Sequence, residues 1–172
     1  MSDSIPSLEV WQRGPVDGIL PLLQPVAHTL LQAREELEQL LKTFPDSFLW
    51  ERPGAVASPA FHLQHLSGVL DRVFTYARGE TLTEIQMQEL RAEDISHQPG
   101  LTISGLANRF SGQVEKALDQ LKITDENTLT AFRGVGRKQL PSTVLGLLFH
   151  GAEHTMRHLG QLHVTIKVLV NK

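Results

Sequence analysis

The longest uninterrupted helical pattern in the chain is VLGLLFHGAEHTMRHLGQLHVTIKVLV, residues 144–170, and the architecture follows from it. No proline interrupts it, and Pro141-Ser142 just before it is a typical helix opening. At about 1.5 Å per residue, the predicted helix over 141–169 is roughly 40 Å long. A helix of this length needs partners of similar length to bury its apolar face, and three other amphipathic segments are present.

These three segments carry apolar residues at helical spacing, which predicts one buried face on each. The first covers about 22–43 and the second 59–77, where Ser58-Pro59 provides a cap residue and a proline at the first helical position. The third covers about 103–121, with Thr102 available as its cap.

The remaining segments predict short structures. Residues 83–93 are mostly polar and predict a short peripheral helix, whereas 123–140 contains Gly134 and Gly136 and predicts an extended turn or small hairpin. Four long amphipathic helices predict an all-α fold, a four-helix bundle with one peripheral helix and a long connection before the last helix. The length of 172 residues fits a single domain over 1–172, with the bundle core at about 20–170.

The composition excludes several classes of function. The chain contains no cysteine, which excludes disulfide scaffolds, thiolate metal sites and a cysteine nucleophile. The net charge of −3 gives no basic footprint for nucleic acid or an anionic membrane surface. The apolar runs are shorter than the roughly 20 residues of a membrane span, and the N-terminal residues do not resemble a secretory signal. We therefore expect a soluble cytoplasmic protein that binds neither nucleic acid nor membranes.

Histidine is concentrated in two places, because six of the eight histidines lie within 62–65 and 150–163. Side chains four residues apart on a helix are neighbours, so His154 and His158 are placed to bind one metal ion, and His150 and His154 have the same spacing. One helix supplies two ligands without strain. The spacing therefore predicts a third ligand from the helix over 59–77, either His62 or His65.

Three neutral imidazoles and an open water position are typical of a catalytic site for a divalent first-row metal. Such an ion lowers the pKa of a bound water or thiol and creates a nucleophile near neutral pH. Glu-x-x-His does not occur in the chain, which excludes the di-iron type of helical bundle. The isolated His28, His97 and His163 are expected to be surface or hydrogen-bonded residues.

A second motif overlaps the last helix. His150-Gly-Ala-Glu153-His154 matches H-x-x-E-H, the inverted zinc-protease pattern in which the two histidines bind zinc and the glutamate is the general base. This interpretation leaves His158 and the histidines of the second helix unexplained. We therefore rank a metalloprotease below the three-histidine site.

The chain resembles the DinB/YfiT-like family of metal-binding four-helix bundles across roughly 20–170. The resemblance rests on two motifs, Ser58-Pro-Ala-Phe-His-Leu-Gln-His65-Leu at the start of the second helix and His154-Thr-Met-Arg-His158-Leu-Gly-Gln161 in the last. In that family one histidine of the second helix and an H-x-x-x-H pair of the last helix bind a divalent metal. Aligned on these motifs, the ligands are His65, His154 and His158.

Four residues near these ligands are further candidates for the site. His62 and His150 each precede a family ligand by about one turn and are candidates for an extra ligand or a site-lining role. Gln161 and Glu153 are candidates to orient a ligating imidazole, and we prefer Gln161 because Glu153 points about 100° away from His154 on an ideal helix. Leu159 stands where the family often has arginine.

Some members of the family resemble thiol-dependent transferases or isomerases. The resemblance therefore implies an external low-molecular-weight thiol or a water as the nucleophile, for thiol transfer or hydrolysis of a small molecule. We expect zinc or nickel as the metal, because both suit imidazole ligands. The alternative is a non-catalytic bundle whose histidines bind metal for structure or sensing, or whose apolar faces form a homodimer.

Overall fold

The computed structural model describes residues 8–171. Within this range the chain forms five α-helices and one two-stranded sheet, which confirms the predicted all-α bundle with a short peripheral helix. The elements are α1 (Gln24–Leu41), α2 (Pro59–Ala77), α3 (Glu84–Ala92), α4 (Ile103–Lys122), β1 (Phe132–Val135), β2 (Leu140–Thr143) and α5 (Val144–Val170).

The predicted helix starts are confirmed where a cap residue marks them. The Ser58 hydroxyl accepts a hydrogen bond from the Phe61 backbone N–H, and the Thr102 hydroxyl accepts one from Gly105. These bonds satisfy N–H groups that have no partner within the helix. The predicted ends of α2 and α4 agree with the structure to within one residue. Helix α1 is shorter than predicted, because Pro21–Leu23 forms a 3₁₀ turn before it and the helix ends at Leu41.

The predicted start of the last helix at 141 is wrong by three residues. β2 pairs antiparallel with β1, and Pro141 lies opposite Gly134 in that hairpin. Thr143 then caps α5 by accepting a hydrogen bond from the Gly146 backbone N–H. Pro141-Ser142 did not begin the helix because residues 140–143 pair with β1. Thr143 is an equally good cap residue, and the helix begins after it.

The four long helices form a closed ring in which each contacts two neighbours. α2 packs against α5 and α4, and α1 packs against the same two helices. Leucine side chains from all four helices form the hydrophobic core. Completely buried examples, one from each helix, are Leu30, Leu66, Leu121 and Leu148. No described helix is both long enough and apolar enough to cross a lipid bilayer.

Helices α2 and α5 approach each other closely. A Cβ atom added at Gly151 of α5 would lie 3.0 Å from the ring of Phe74 on α2. Fourteen of the nineteen residues of α2 are buried, including several polar ones. Buried polar groups require partners, and the site described next is built from those of α2 and the facing side chains of α5.

Candidate metal centre

Histidines of α2 and α5 face each other across the interface between these two helices. The Nε2 atoms of His65 and His154 are 3.0 Å apart, and the Nδ1 atoms of His62 and His158 are 3.3 Å apart. The later histidine of α2 therefore meets the earlier histidine of α5. This pairing requires the two helices to run antiparallel. The two histidines of α2 then lie next to the two histidines of α5.

Three of these residues form a compact group, which we call the histidine cluster: His65, His154 and His158. One ring nitrogen of each lies within 4.8 Å of the corresponding nitrogens of the other two, and all three side chains are partly buried. The ring centroids of His65 and His158 are 4.3 Å apart, and those of His154 and His158 are 4.6 Å apart. The structure thus brings together the three residues that the family resemblance implies as ligands.

Glu93 fixes the orientation of His65. The Nδ1–H of His65 donates to Oε2 of Glu93 at 2.7 Å, and Nη1 of Arg72 donates to the other carboxylate oxygen at 2.7 Å. Both carboxylate oxygens are therefore occupied, and the Glu93 side chain is 6% exposed. In the tautomer with its proton on Nδ1, His65 carries its lone pair on Nε2, which faces His154. A ligating histidine that donates its other N–H to a carboxylate is the usual arrangement in metal sites.

Gly68 makes room for this contact on α2. A Cβ atom at position 68 would overlap Oε1 of Glu93 and Nη1 of Arg72, so the carboxylate lies directly against the helix backbone. Sequence reasoning missed both Gly68 and Glu93. Glu93 lies 28 residues from His65, just beyond the end of the peripheral helix α3. The available signal was a glycine one turn after His65, inside an otherwise well-formed helix.

The local environment lowers the pKa of three of the four histidines at this interface. Burial lowers the pKa of His62 and of His158 to about 4, with a further contribution from the neighbouring His65. Burial also lowers the pKa of His154. Neutral imidazole is the form that binds a metal ion, so these groups are ready to act as ligands at neutral pH.

Glu93 is charged in the same environment. Burial raises the pKa of Glu93, but the hydrogen bonds from His65 and Arg72 and the positive charge of Arg72 lower it by more. Its pKa therefore lies below the ordinary value. The carboxylate beside His65 is ionised at neutral pH and is balanced by the guanidinium of Arg72.

His62 occupies a different position from the cluster. It is 4% exposed, and its Nδ1 contacts the Nδ1 of His158 rather than the common centre of the three rings. One of these nitrogens donates to the other. When the proton is on His158, the Nε2 atom of His158 carries the lone pair. This geometry places His62 behind His158, as a residue that orients it.

The other predicted residues lie at the edges of the site. His150 is about half exposed, and its Nδ1 is 3.5 Å from Oε2 of Glu153 on the same helix. Glu153 also forms an ion pair with Arg157. His150, Glu153 and His154 make a second group with metal-ligand spacing, which shares His154 with the cluster. Gln161 lines a cavity beside His62.

The cluster fits a metal ion on its own chemistry. Nδ1 of His154 is buried and has no hydrogen-bond partner among residues 8–171. The Nε2 atoms of His65 and His154 face each other at 3.0 Å, and one proton between them satisfies both. Nδ1 of His154 is therefore the buried ring nitrogen of the cluster that no described protein group satisfies. A cation would accept lone pairs from these imidazoles in place of the shared proton, and imidazole nitrogen is a preferred ligand of zinc and nickel.

The sequence of this chain matches a known protein family. The sequence profile of the DinB superfamily matches residues 29–162, which include most of α5, all of α2 and the entire histidine cluster. The chain belongs to the DinB superfamily. No curated protein matches it.

Two solved structures share the DinB-like fold of this chain. A conserved protein from Enterococcus faecalis superposes with a TM-score of 0.67 at 16% identity, covering 89% of this chain and 99% of its own. A protein from Streptococcus pneumoniae superposes with a TM-score of 0.61 at 12% identity, covering 85% and 88%. At these identities the likeness concerns the fold alone.

Proposed function

We propose that this DinB protein binds zinc or nickel through His65, His154 and His158, and that it uses the ion to activate a small nucleophile. The observation that carries the proposal is the hydrogen bond from His65 Nδ1 to Glu93, which directs the Nε2 lone pair of His65 toward His154. A divalent ion bound there supplies Lewis acidity, which lowers the pKa of a water or low-molecular-weight thiol that it coordinates.

The protein's own residues hold the ligands and leave room for a substrate. Glu93 and Arg72 fix His65, and His62 contacts His158. Three neutral ligands leave at least one coordination position open, which is typical of catalytic rather than structural sites. Since the chain contains no cysteine, the nucleophile in this proposal is external, either a thiol for transfer to an electrophile or a water for hydrolysis.

The experiment is a turnover screen on protein purified without a histidine tag and loaded with zinc or nickel. One arm pairs glutathione or cysteine with an aryl halide, and the other follows hydrolysis of a nitrophenyl ester. We expect turnover in one arm, in proportion to bound metal, and its loss in His158→Ala. His163→Ala is the matched control, because His163 is exposed on the same helix.

Turnover that survives chelation, or that is equal in His158→Ala and wild type, would contradict the proposal. Absence of turnover in both arms despite full metal loading would leave a metal-binding bundle and would remove the catalytic part of the proposal.

A further inference from the structure

A cavity of about 400 Å³ lies one helical turn from the histidine cluster, between α2, β2 and α5. We call it the hairpin cavity. Most of its wall is apolar, with contributions from Val69 and Val73 of α2, Leu140 of the hairpin and Leu147 of α5. Its volume lies within the range of small-molecule sites in proteins, roughly 300–1,000 Å³.

The hairpin cavity is close to the proposed metal. His150 lines it, and the ring centroid of His150 is 5.2 Å from that of His154. Arg72 also lines it and is joined to His65 through Glu93. A ligand in the cavity would therefore lie beside the cluster without displacing any of its histidines.

Arg72 is the polar group that the cavity offers to a ligand. Its side chain is 8% exposed, and Glu93 is its single hydrogen-bond partner among residues 8–171, through Nη1. A guanidinium group has five N–H donors. The remaining donors of Arg72 are accessible at the cavity wall, where they can donate to a ligand that carries hydrogen-bond acceptors.

The net charge of the site with a metal ion bound favours an anionic ligand. The positive charge of Arg72 and the negative charge of Glu93 cancel. A divalent metal ion bound by three neutral imidazoles would therefore leave a net charge of about +2 at the site. A ligand that carries a carboxylate or similar group would reduce this excess, and carboxylates pair well with a planar guanidinium.

A second cavity, of about 620 Å³, lies beside His62 and is lined by Val164 and Arg157. It is a weaker candidate for an anion because Arg157 is about half exposed, so water competes with a ligand for its donors.

We propose that the hairpin cavity binds a small amphipathic anion, whose anionic group accepts hydrogen bonds from Arg72 and whose hydrocarbon body packs against Val69, Val73 and Leu147. The inference rests on the proposed function, since it identifies the substrate class of the same site.

The test measures binding of hexanoate and of 1-hexanol by calorimetry, to zinc-loaded and to metal-free protein. We expect zinc-loaded wild type to bind hexanoate roughly tenfold more tightly than hexanol, the size of one charge-assisted hydrogen bond. Leu140→Trp should weaken hexanoate binding at least as much, because the indole fills the cavity. Leu140 is 58% exposed, so the larger side chain need not disrupt the core.

Val164→Trp is the matched control, because it introduces the same indole beside the second cavity and Val164 is similarly exposed to solvent. Arg72→Lys keeps the charge but not the planar donors, and it should weaken hexanoate binding while leaving hexanol unchanged. Weaker binding of hexanoate to metal-free Leu140→Trp than to metal-free wild type supports binding in the hairpin cavity, even if the histidines bind no metal. Metal content is measured separately and tests the proposed function.

Three results would overturn the inference: no saturable binding of hexanoate to wild type, equal binding to wild type and Leu140→Trp, or loss of binding in Val164→Trp instead.

Discussion

Glu93 is the residue on which the proposed metal centre depends most directly outside its ligands. Its carboxylate receives one hydrogen bond from His65 and one from Arg72, each of 2.7 Å, and is almost completely buried. Because the hydrogen bond determines which nitrogen of His65 carries the proton, Glu93 controls whether that ring can act as a ligand through Nε2.

We therefore expect Glu93→Gln to weaken zinc binding by about 10- to 100-fold, the usual cost of removing the partner of a ligating histidine. The measurement is competition with a chelator of known affinity. Glu84→Gln is the control, because Glu84 is exposed on α3 and pairs with Arg91. Equal affinities of Glu93→Gln and wild type would contradict the role assigned to Glu93.

The sequence predicted that His65, His154 and His158 come together, but it did not predict that Glu93 binds His65. His154 and His158 share a helix, so their spacing alone placed them together, and the family motif selected His65 over His62. Glu93 could not be found in this way, because its position depends on how the connection after α2 folds back. That path is set by tertiary contacts that no local pattern encodes.

At the scale of elements, the α2–α5 pair positions the site, and a glycine permits each of its close contacts. Gly151 allows α5 to approach Phe74, and Gly68 allows Glu93 and Arg72 to lie against α2. Glycine in a helix interior is less stable than alanine by about 1 kcal/mol. At Gly68 the buried ion pair occupies the space that an alanine side chain would need.

We expect Gly68→Ala to displace the Glu93–Arg72 pair, to lower the free energy of unfolding by about 1–3 kcal/mol, and to weaken zinc binding. Gly112→Ala is the matched control, since Gly112 lies in α4 with open space around its Cβ position. That change should raise the free energy of unfolding by about 0.5–1 kcal/mol. Urea denaturation measures both, and a stabilising effect of Gly68→Ala would refute the packing argument.

Element boundaries were predictable where one strong signal stood alone. Ser58-Pro59 and Thr102 marked the starts of α2 and α4, and both were confirmed. Pro141-Ser142 competed with Thr143, and the choice depended on the pairing of β1 with β2, a contact between separate parts of the chain. The same reason explains why the sequence predicted a turn or hairpin at 123–140 without its register.

At the scale of the whole molecule, the buried histidines make stability depend on pH. In the metal-free fold the pKa of His62 and of His158 is about 4, below the ordinary value of 6.5. As the pH falls below about 6.5, the unfolded chain takes up protons that the native protein does not bind until about pH 4. Stability is therefore greatest above this window and decreases through it.

We expect the free energy of unfolding of metal-free protein to decrease by up to about 1.4 kcal/mol per pH unit for each of these histidines between about pH 6 and 4.5. His62→Leu replaces the buried imidazole with a buried apolar side chain. It should reduce the slope of unfolding free energy against pH by nearly the contribution of one histidine. Urea denaturation across this range provides the measurement. A slope that is the same in His62→Leu and wild type would show that His62 does not titrate in this way.

Metal content of the untagged protein, determined by elemental analysis after zinc or nickel loading and dialysis, decides whether the histidine cluster is a metal centre. We expect one equivalent per chain in wild type and in His163→Ala, and almost none in His65→Ala, His154→Ala or His158→Ala. Full metal content in any of the last three variants, or none in wild type, would contradict the assignment of these three histidines as ligands.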